Sequence, residues 1–348
     1  MDGITLPAVG AAIPWHVPRG IPYQKAPGSR PVPDGPTETT APVTDPAIGR
    51  IRRRYIRDIL DMQERLSFRG LSGELEQSGK HLYRADRGQG VTVTAALTEH
   101  IPRRYLMGLG VFRLSQYLQA GFASPDIVFN RSLFCEPIQG FGAADIHVIA
   151  TDTETGRILG YVSLAHSGDP EPQPASAPER VLFPCEQAHG MRLISLLPGS
   201  AGLSTHAIRE VKRFVHDHAM TDRTQRLRVT LELLSGITGA LCHPDSRTRM
   251  LVGDVERHVA LRHLMLLGLE VHLVEGTTPD LGPTDLMHPM YVTREKVLPF
   301  IAVLPPREEA VRRAALVERA ATAPAPFRAV RDLMGSLAGT VHSIEVAA

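Results

Sequence analysis

The stretch DIHVIATDTETGRILGYVSLAHS, residues 145–167, decides the fold that this sequence predicts. Branched and aromatic residues fill both halves of the stretch, and the turn-forming run DTETG, residues 152–156, separates them. Two short strands joined by a tight turn are the pattern of a β-hairpin. The hairpin therefore places a β-sheet near the middle of the chain.

The segments around the hairpin alternate between strand and helix patterns. IREVKRFV, residues 208–215, fits both helical spacing and strand alternation. Strands are also predicted over 191–198, 248–255 and 269–276, and helices over 48–66, 104–122, 226–243 and 256–268. This order predicts an α/β (α+β) fold in which helices flank a mixed central sheet.

Composition divides the chain into three regions. Residues 1–46 are rich in proline, glycine, threonine and alanine, and such a segment cannot offset its own ordering entropy, so a flexible arm or an extended segment along the main domain is predicted. Residues 47–305 carry the strand and helix patterns of the main domain. Residues 306–348 are rich in arginine and alanine and predict a helical C-terminal extension, interrupted at Pro324 and Pro326.

The charge balance and the cysteines argue against several classes of protein. Lysine and arginine (38) nearly cancel aspartate and glutamate (37), so no nucleic-acid partner is expected. Cys135, Cys185 and Cys242 lie far apart, as reduced thiols in a cytoplasm do. The sequence opens with no leader pattern and contains no run of about 18 apolar residues, so we expect a cytoplasmic protein without a membrane span.

Three other groups of residues carry weaker chemical signals. His206, His216 and His218 lie close in sequence, but no carboxylate or cysteine completes a tetrahedral set at a familiar spacing, so no metal is expected. Cys185 has no orienting partner for a thiol nucleophile and is predicted to be a buried structural residue. The run RIRRR, residues 50–54, predicts the solvated face of the first helix, or a contact with a phosphate or an acidic carrier protein.

The order of patterns from residue 145 to about 300 resembles the GNAT acyltransferase superfamily. It is most similar to the branch of the N-acyl homoserine lactone synthases and the exosortase-associated acyltransferase-like proteins. Three pieces carry the resemblance, which covers somewhat under half of the chain: the aspartate-led hairpin at 145–164, an E-x-x-R-F element at Glu210, Arg213 and Phe214, and the helix and strand at 255–276. The resemblance implies a GNAT-like central sheet with two parallel strands that diverge.

The resemblance also implies roles for four residues near the diverging strands. Glu210 would accept the proton of the amine, and Arg213 would be its electrostatic partner or would bind an acceptor carboxylate. Asp145 would hold the ammonium of the acceptor, and Phe214 would contact substrate. From the residues alone, Glu210 and Arg213 equally fit a surface ion pair, Asp145 a turn residue and Phe214 a core residue.

A glycine-containing segment is the nearest match to the loop that binds the donor pyrophosphate in this superfamily. The segment is LPGSAGLSTHAI, residues 197–208. Gly199 and Gly202 would expose backbone amides, and Ser204 would cap a following helix. These three residues are therefore the predicted contacts for the donor.

The function that these residues and the resemblance imply is N-acyl transfer from an acyl-CoA or acyl-carrier-protein thioester to a small amine. An amino acid or a derivative is the expected acceptor, because Arg213 would pair with its carboxylate. Expected partners are the acceptor, an acyl carrier protein and a second copy of the chain in a homodimer. The alternatives are a GNAT-fold binding or regulatory protein without catalysis, or a fold that performs other amine chemistry in a specialised-metabolite pathway.

Overall fold

The structure is a computed structural model, and it describes residues 46–137, 140–256, 261–292, 297–337 and 339–346. Residues 45–348 form one compact unit. The side chains of Arg213, Val292, Ser336 and Leu337 lie outside the description, and so does the arm predicted over 1–46, apart from Pro46. None of the helices in the described part is long and apolar enough to cross a membrane.

Strands in the described part form one sheet of nine, in the order β1-β2-β3-β4-β5-β6-β8-β7-β9. Neighbours are antiparallel except for two parallel pairs, β5 with β6 and β7 with β9. The strands are β1 (His81–Asp86), β2 (Val91–Leu97), β3 (Ile146–Asp152), β4 (Ile158–Ala165), β5 (Ile208–His216), β6 (Met250–Glu256), β7 (Glu270–Glu275), β8 (Val297–Val303) and β9 (Val341–Glu345).

Helices pack on both faces of the sheet, so the predicted mixed sheet flanked by helices is confirmed. They are α1 (Pro46–Glu64), α2 (Leu71–Gln77), α3 (Arg103–Ala120), α4 (Pro125–Asn130), α5 (Pro184–Ala188), α6 (Arg223–Leu241), α7 (Leu261–Leu266), α8 (His288–Val292), α9 (Arg307–Thr322) and α10 (Pro326–Leu337).

The two long buried helices, α3 and α6, set the two sides of the core. On one face of the sheet, α6 packs against β1 to β4, and its Val229 and Leu233 lie over Gly160. Gly236 of α6 allows this close packing, because a Cβ there would lie 2.4 Å from Val148 Cγ1. On the other face, α3 packs its Phe112 in a cluster with residues of β3 and β4. Burial of this apolar surface is the main source of stability.

The predicted hairpin is confirmed as β3 and β4, and the predicted helix and strands over 226–243, 248–255 and 269–276 are confirmed as α6, β6 and β7. The ambiguous segment IREVKRFV is the strand β5. The predicted helix over 256–268 corresponds to α7, which ends before Gly268, a glycine with φ +72°. The strands β1, β2, β8 and β9 were not predicted.

The prediction of a strand over 191–198 is wrong. Residues Leu193–Leu196 form a 3₁₀ turn instead. Leu193 and Ile194 are fully buried in a cluster that covers β5, β6 and β8, together with residues of the long connection 166–207. A buried strand and a buried 3₁₀ turn both require a short apolar run. The run 191–198 therefore indicates burial and does not indicate strand pairing.

Candidate active site

The parallel strands β5 and β6 separate partway along their length. Their ladder joins Ile208–Val211 to Met250–Gly253, but β5 continues to His216 and β6 to Glu256. At the point of separation, Gly253 has φ +155°, and a Cβ there would lie 2.8 Å from the carbonyl oxygen of Val211. Glycine is therefore required where the two backbones part. In the described part, the edge of β5 beyond Val211 forms no ladder with β6.

A cavity of about 320 Å³ fills the opening between the two strands. Its walls come from β5, β6, the end of α3, the first turn of α6, α7 and α8. This volume falls within the range of small-molecule sites, roughly 300–1,000 Å³. Three carboxylates, Glu210, Asp254 and Glu256, line it together with two cations, Lys212 and Arg226.

Glu210 lies on the paired half of β5 and faces this cavity. The residue is 4% exposed, and its Oε1 lies 4.0 Å from the Nζ of Lys212. Strand spacing of two residues places both side chains on the same face of β5. The structure therefore places Glu210 at a cavity and not in a filled core. Arg213 belongs to β5, but its side chain lies outside the described residues, so its role stays a prediction.

A bulge in β5 brings further side chains to the cavity. The partners in β4 step from Tyr161 to Ser163, while the partners in β5 step from Val215 to Lys212. The extra residue breaks the alternation of the strand. As a result Phe214 lies on the same face of β5 as Val211, packed against the core cluster that includes α6, and it lines the cavity from that face. Its ring stacks on that of His263, with centroids 4.9 Å apart.

Two histidines of the cavity wall are held neutral by burial. Desolvation lowers the pKa of His216 to about 3, and nearby Arg226 and His263 act in the same direction. Desolvation lowers the pKa of His263 to about 4. His216 Nε2 is hydrogen-bonded to Thr230 Oγ1 at 2.8 Å. Neutral imidazoles can exchange hydrogen bonds with a ligand without adding charge.

A smaller cavity of about 70 Å³ adjoins the main one. Val211, Phe214, Asp254 and His263 line both, and the remaining walls are apolar side chains of α6, β6, α7 and β8. It is roughly half the size of an engineered protein cavity of about 150 Å³ that binds benzene. The chamber therefore suits a short apolar group.

A chain of hydrogen bonds on the β6 wall has no counterpart among the sequence patterns. The hydroxyl of Tyr291 donates to Asp254 Oδ2 at 2.5 Å, and Asp254 Oδ1 lies 3.1 Å from His189 Nε2. Asp254 and Tyr291 line the cavity, and the side chain of His189 is fully buried behind them. Because 65 and 37 residues separate the partners of these two bonds, only the fold brings them together.

Asp145 is not brought to the cavity by the fold. It is 5% exposed and precedes β3, where its carboxylate accepts hydrogen bonds from the backbone N–H groups of His166 (2.7 Å) and Gly142 (2.9 Å). The half-buried Arg209 lies close enough for its charge to interact with Asp145. These contacts match the turn interpretation of Asp145, and an acceptor contact there stays a prediction.

The predicted donor loop forms successive 3₁₀ turns that lead into β5 and not into an α-helix. Gly199, with φ +84°, precedes the turn Ser200–Gly202. The side chain of Ser204 accepts a hydrogen bond from the N–H of His206 and so caps the turn Thr205–Ala207. None of the three predicted residues lines the cavity described above. Their contact with a donor stays a prediction.

Cys185 is buried, and burial raises the pKa of its thiol well above the ordinary value. The nearby charges of Glu210 and Asp254 raise it further, so the thiol stays protonated. All three cysteines are free. No group of three metal-ligating side chains occurs among the residues that the structure describes.

Comparison with solved structures places acyl-homoserine lactone synthases among those similar to this chain. LasI is 12% identical with a TM-score of 0.38, and the match covers 63% of this chain and 93% of LasI. BjaI, solved with SAM and isopentyl-CoA, is 12% identical with a TM-score of 0.39, and the match covers 73% and 93%. MesI, a CoA-dependent synthase, is 16% identical with a TM-score of 0.35, and the match covers 61% and 86%. No family model and no curated protein matches the chain.

Proposed function

We propose that this chain is an N-acyltransferase that moves an acyl group from an acyl-CoA or acyl-carrier-protein thioester to a small amine. The divergence of β5 from β6 beside Glu210 is the observation that supports the proposal most. A thioester carbonyl in this opening would lie against the β6-facing edge of β5. Backbone N–H groups on that edge would stabilise the oxyanion that forms during acyl transfer.

The carboxylates of the cavity support an amine as the acceptor. Glu210, Asp254 and Glu256 would attract an ammonium group, and Glu210 would take its proton. The neutral nitrogen then attacks the thioester carbon and the C–N bond forms. The C–S bond breaks, the nitrogen loses its second proton to become an amide, and the leaving thiolate takes up one proton to become the free thiol. An amino acid or a derivative fits the E-x-x-R-F element best, because Arg213 would pair with its carboxylate.

The small apolar chamber supports a short acyl group. Its walls include Leu234, Leu251, Leu267 and Phe300, and it opens beside the ring of Phe214. An acyl chain that extends past Phe214 would be removed from water there. The chamber holds only a few carbon atoms, so long chains would be turned over slowly.

The test combines a thiol-release assay with mass spectrometry of the product. Wild-type protein is incubated with acetyl-, butyryl- and hexanoyl-CoA, or with the same groups on an acyl carrier protein, and with amino acids and their derivatives. We expect amine-dependent thiol release, an N-acylated product, and a loss of both in Glu210→Gln. The absence of thiol release with every donor, in a protein that the donors stabilise against heat, would favour a binding protein without catalysis.

A further inference from the structure

A lysine and an aspartate lie on opposite sides of the opening between β5 and β6. The ladder of the two strands ends at the pair Val211 and Gly253. Lys212 and Asp254 are the next residues along the chain, so each is the first residue of its strand beyond the ladder. Both line the main cavity. The opening therefore begins between a cation and a carboxylate.

Lys212 and Asp254 project to the same face of the sheet. Ile208 of β5 and Val252 of β6 pack in one apolar cluster with Cys185 of α5, on the face that the connection 166–207 covers. Successive side chains of a strand alternate between the two faces. Lys212 lies four residues after Ile208, and Asp254 lies two residues after Val252. Both charged side chains therefore extend from this face into the cavity.

The thiol of Cys185 confirms that the charges lie close together. Burial raises the pKa of this thiol most, the charges of Glu210 and Asp254 raise it further, and the charge of Lys212 lowers it. All three charged groups are therefore near enough to one atom of α5 to act on it. Glu210 Oε1 lies 4.0 Å from Lys212 Nζ, so the candidate proton acceptor adjoins the lysine.

The other cation of the cavity, Arg226, lies on the opposite face. It belongs to α6, and its charge acts on His216, which is hydrogen-bonded to Thr230 of the same helix. His216 pairs with Gly160 of β4, the residue against which α6 packs. Among the cavity-lining residues that the structure describes, Lys212 is therefore the cation on the side of Asp254.

Asp254 is a carboxylate in a fixed orientation. Its Oδ2 accepts a hydrogen bond from the hydroxyl of Tyr291 at 2.5 Å, and its Oδ1 lies 3.1 Å from His189 Nε2. The side chain of Asp254 is 10% exposed. Each oxygen of a carboxylate can accept a second hydrogen bond, so these partners orient the group and still leave it able to bind a ligand.

The space between the two charges suits a short ligand. Paired strands lie about 4.8 Å apart, and Lys212 and Asp254 directly follow the last pair, where the strands have only begun to separate. A ligand that contacts both needs a negative and a positive group a few bonds apart. In an α-amino acid, a single carbon atom carries the carboxylate and the ammonium group.

We propose that Lys212 and Asp254 form a zwitterion site, in which Lys212 binds the carboxylate of a free α-amino acid and Asp254 binds its ammonium group. The inference rests on the proposed acyl transfer and narrows its acceptor to a free α-amino acid, in preference to an amino-acid amide or a simple amine. It assigns the carboxylate contact to Lys212, the residue before Arg213. Glu210 adjoins the site and accepts the proton of the bound amine.

The test compares acceptors that differ only in the carboxylate, the L-amino acids and their C-terminal amides. In Lys212→Met, we expect the KM for the free acids to rise about tenfold and the KM for the amides to stay unchanged, because one charge-assisted contact is lost. Asp254→Asn should raise both KM values about tenfold, since both acceptors carry the ammonium group. The matched control is Lys80→Met, which removes the same charge from an exposed position and should change neither value.

The ratio of the two KM values separates a ligand contact from a structural role. An effect of Lys212 on folding or on Glu210 would change the KM values for the free acid and the amide alike, whereas loss of the carboxylate contact changes their ratio. Transfer with equal KM values for both acceptors in the wild type, or with an unchanged ratio in Lys212→Met, would overturn the zwitterion site and leave the proposed function.

Calorimetry distinguishes failure of the zwitterion site from failure of the proposed function, because it needs no turnover. The free L-amino acids that serve as acceptors should bind the wild type more tightly than their amides do, and Lys212→Met should remove this preference. The titrations are made with and without free CoA. Binding that depends on Lys212, without transfer from any donor, would retain the zwitterion site and overturn the transferase. The absence of both binding and transfer would overturn both.

Discussion

Two buried carboxylates differ in the way the fold satisfies them. Glu186 of α5 is fully buried and forms two bonds of 2.6 Å with the guanidinium of Arg180, and it also accepts from the backbone N–H of Phe183. Glu210 of β5 is 4% exposed, and its ion-pair contact with Lys212 is 4.0 Å long. One carboxylate is fixed in a packed segment, and the other faces a cavity.

The two carboxylates separate a buried charge with a structural role from one that is available to a ligand. The short bonds of Glu186 join parts of the connection 166–207 to each other, and they compensate the cost of removing two charges from water. A group that exchanges protons or binds a ligand must be reached by that ligand, and the cavity beside Glu210 allows this. Burial alone does not separate the two cases, but the cavity beside Glu210 does.

The largest expected effect is on stability, in the Glu186 region. Arg180→Ala leaves the carboxylate of Glu186 buried without its ion-pair partner, so we expect the free energy of unfolding to fall by about 3–5 kcal/mol. Urea denaturation measures this change. The control is Arg57→Ala on the exposed surface of α1, with an expected change within about 0.5 kcal/mol. A fall of less than about 1 kcal/mol in Arg180→Ala would show that this ion pair does not have the structural role described.

The second effect is on turnover, in the Glu210 region. Glu210→Gln keeps the shape of the side chain but removes the proton acceptor, so we expect kcat to fall about 100-fold or more. The free energy of unfolding should stay within about 1 kcal/mol of the wild type. Glu186→Gln is the matched variant, with lower stability and little change in kcat for the folded protein. Turnover that survives Glu210→Gln would show that Glu210 is not the proton acceptor.

A substitution at Gly253 tests whether the separation of β5 and β6, where the cavity begins, is needed for stability and turnover. Gly253→Ala forces a residue with a Cβ into a backbone conformation that favours glycine and against the Val211 carbonyl, so we expect a loss of about 1–3 kcal/mol in stability. Turnover should fall as well, because the separation of β5 and β6 changes. Gly335→Ala in α10 is the control, where no atom lies within 4 Å of the added Cβ and helix propensity predicts a gain of up to about 1 kcal/mol.

The smallest effect is the dependence of stability on pH around the cavity. The pKa of His263 is lowered to about 4 in the fold, against about 6.5 in the unfolded chain. Between these values the unfolded chain binds the extra proton, so stability is lost as the pH falls from about 6.5 to about 4. From pH 7 to 5, His263→Leu should lose about 1–2 kcal/mol less than the wild type in urea denaturation. Phe214→Leu, a change to the stacked neighbour that adds no titrating group, should keep the wild-type dependence.

Much of the central fold could be predicted from local patterns, because residues 145–167 and 226–276 carry regular alternation, turns and helix periods. The prediction of a strand over 191–198 is wrong because a buried 3₁₀ turn needs the same apolar residues as a strand. The strand β8 was missed because it contains Pro299, and the edge strand β9 because it follows two helices in an arginine- and alanine-rich region. These strands depend on partners that lie far away in sequence.

The candidate site could be predicted only where its residues belong to one strand. Glu210 and Phe214 are implied by the family resemblance that the E-x-x-R-F element carries, and both line the cavity. Asp254, Tyr291 and His263 carry no spacing signal relative to each other, since they belong to β6, α8 and α7 and only the fold brings them to one cavity. The bulge in β5 was also beyond local reasoning, because it is defined by the register with β4.

The walls of the cavity have a consequence for how the protein is made. They come from chain segments as far apart as α3 and α8, and the parallel strands β5 and β6 are joined through the whole of α6. During synthesis from the N-terminus, the β3–β4 hairpin can form early from local contacts, whereas the cavity needs Tyr291 to have left the ribosome. A nascent chain that stops short of α8 can therefore contain most of its sheet and still lack a closed cavity. Ligand binding then shows that α8 has been synthesised and has packed in place.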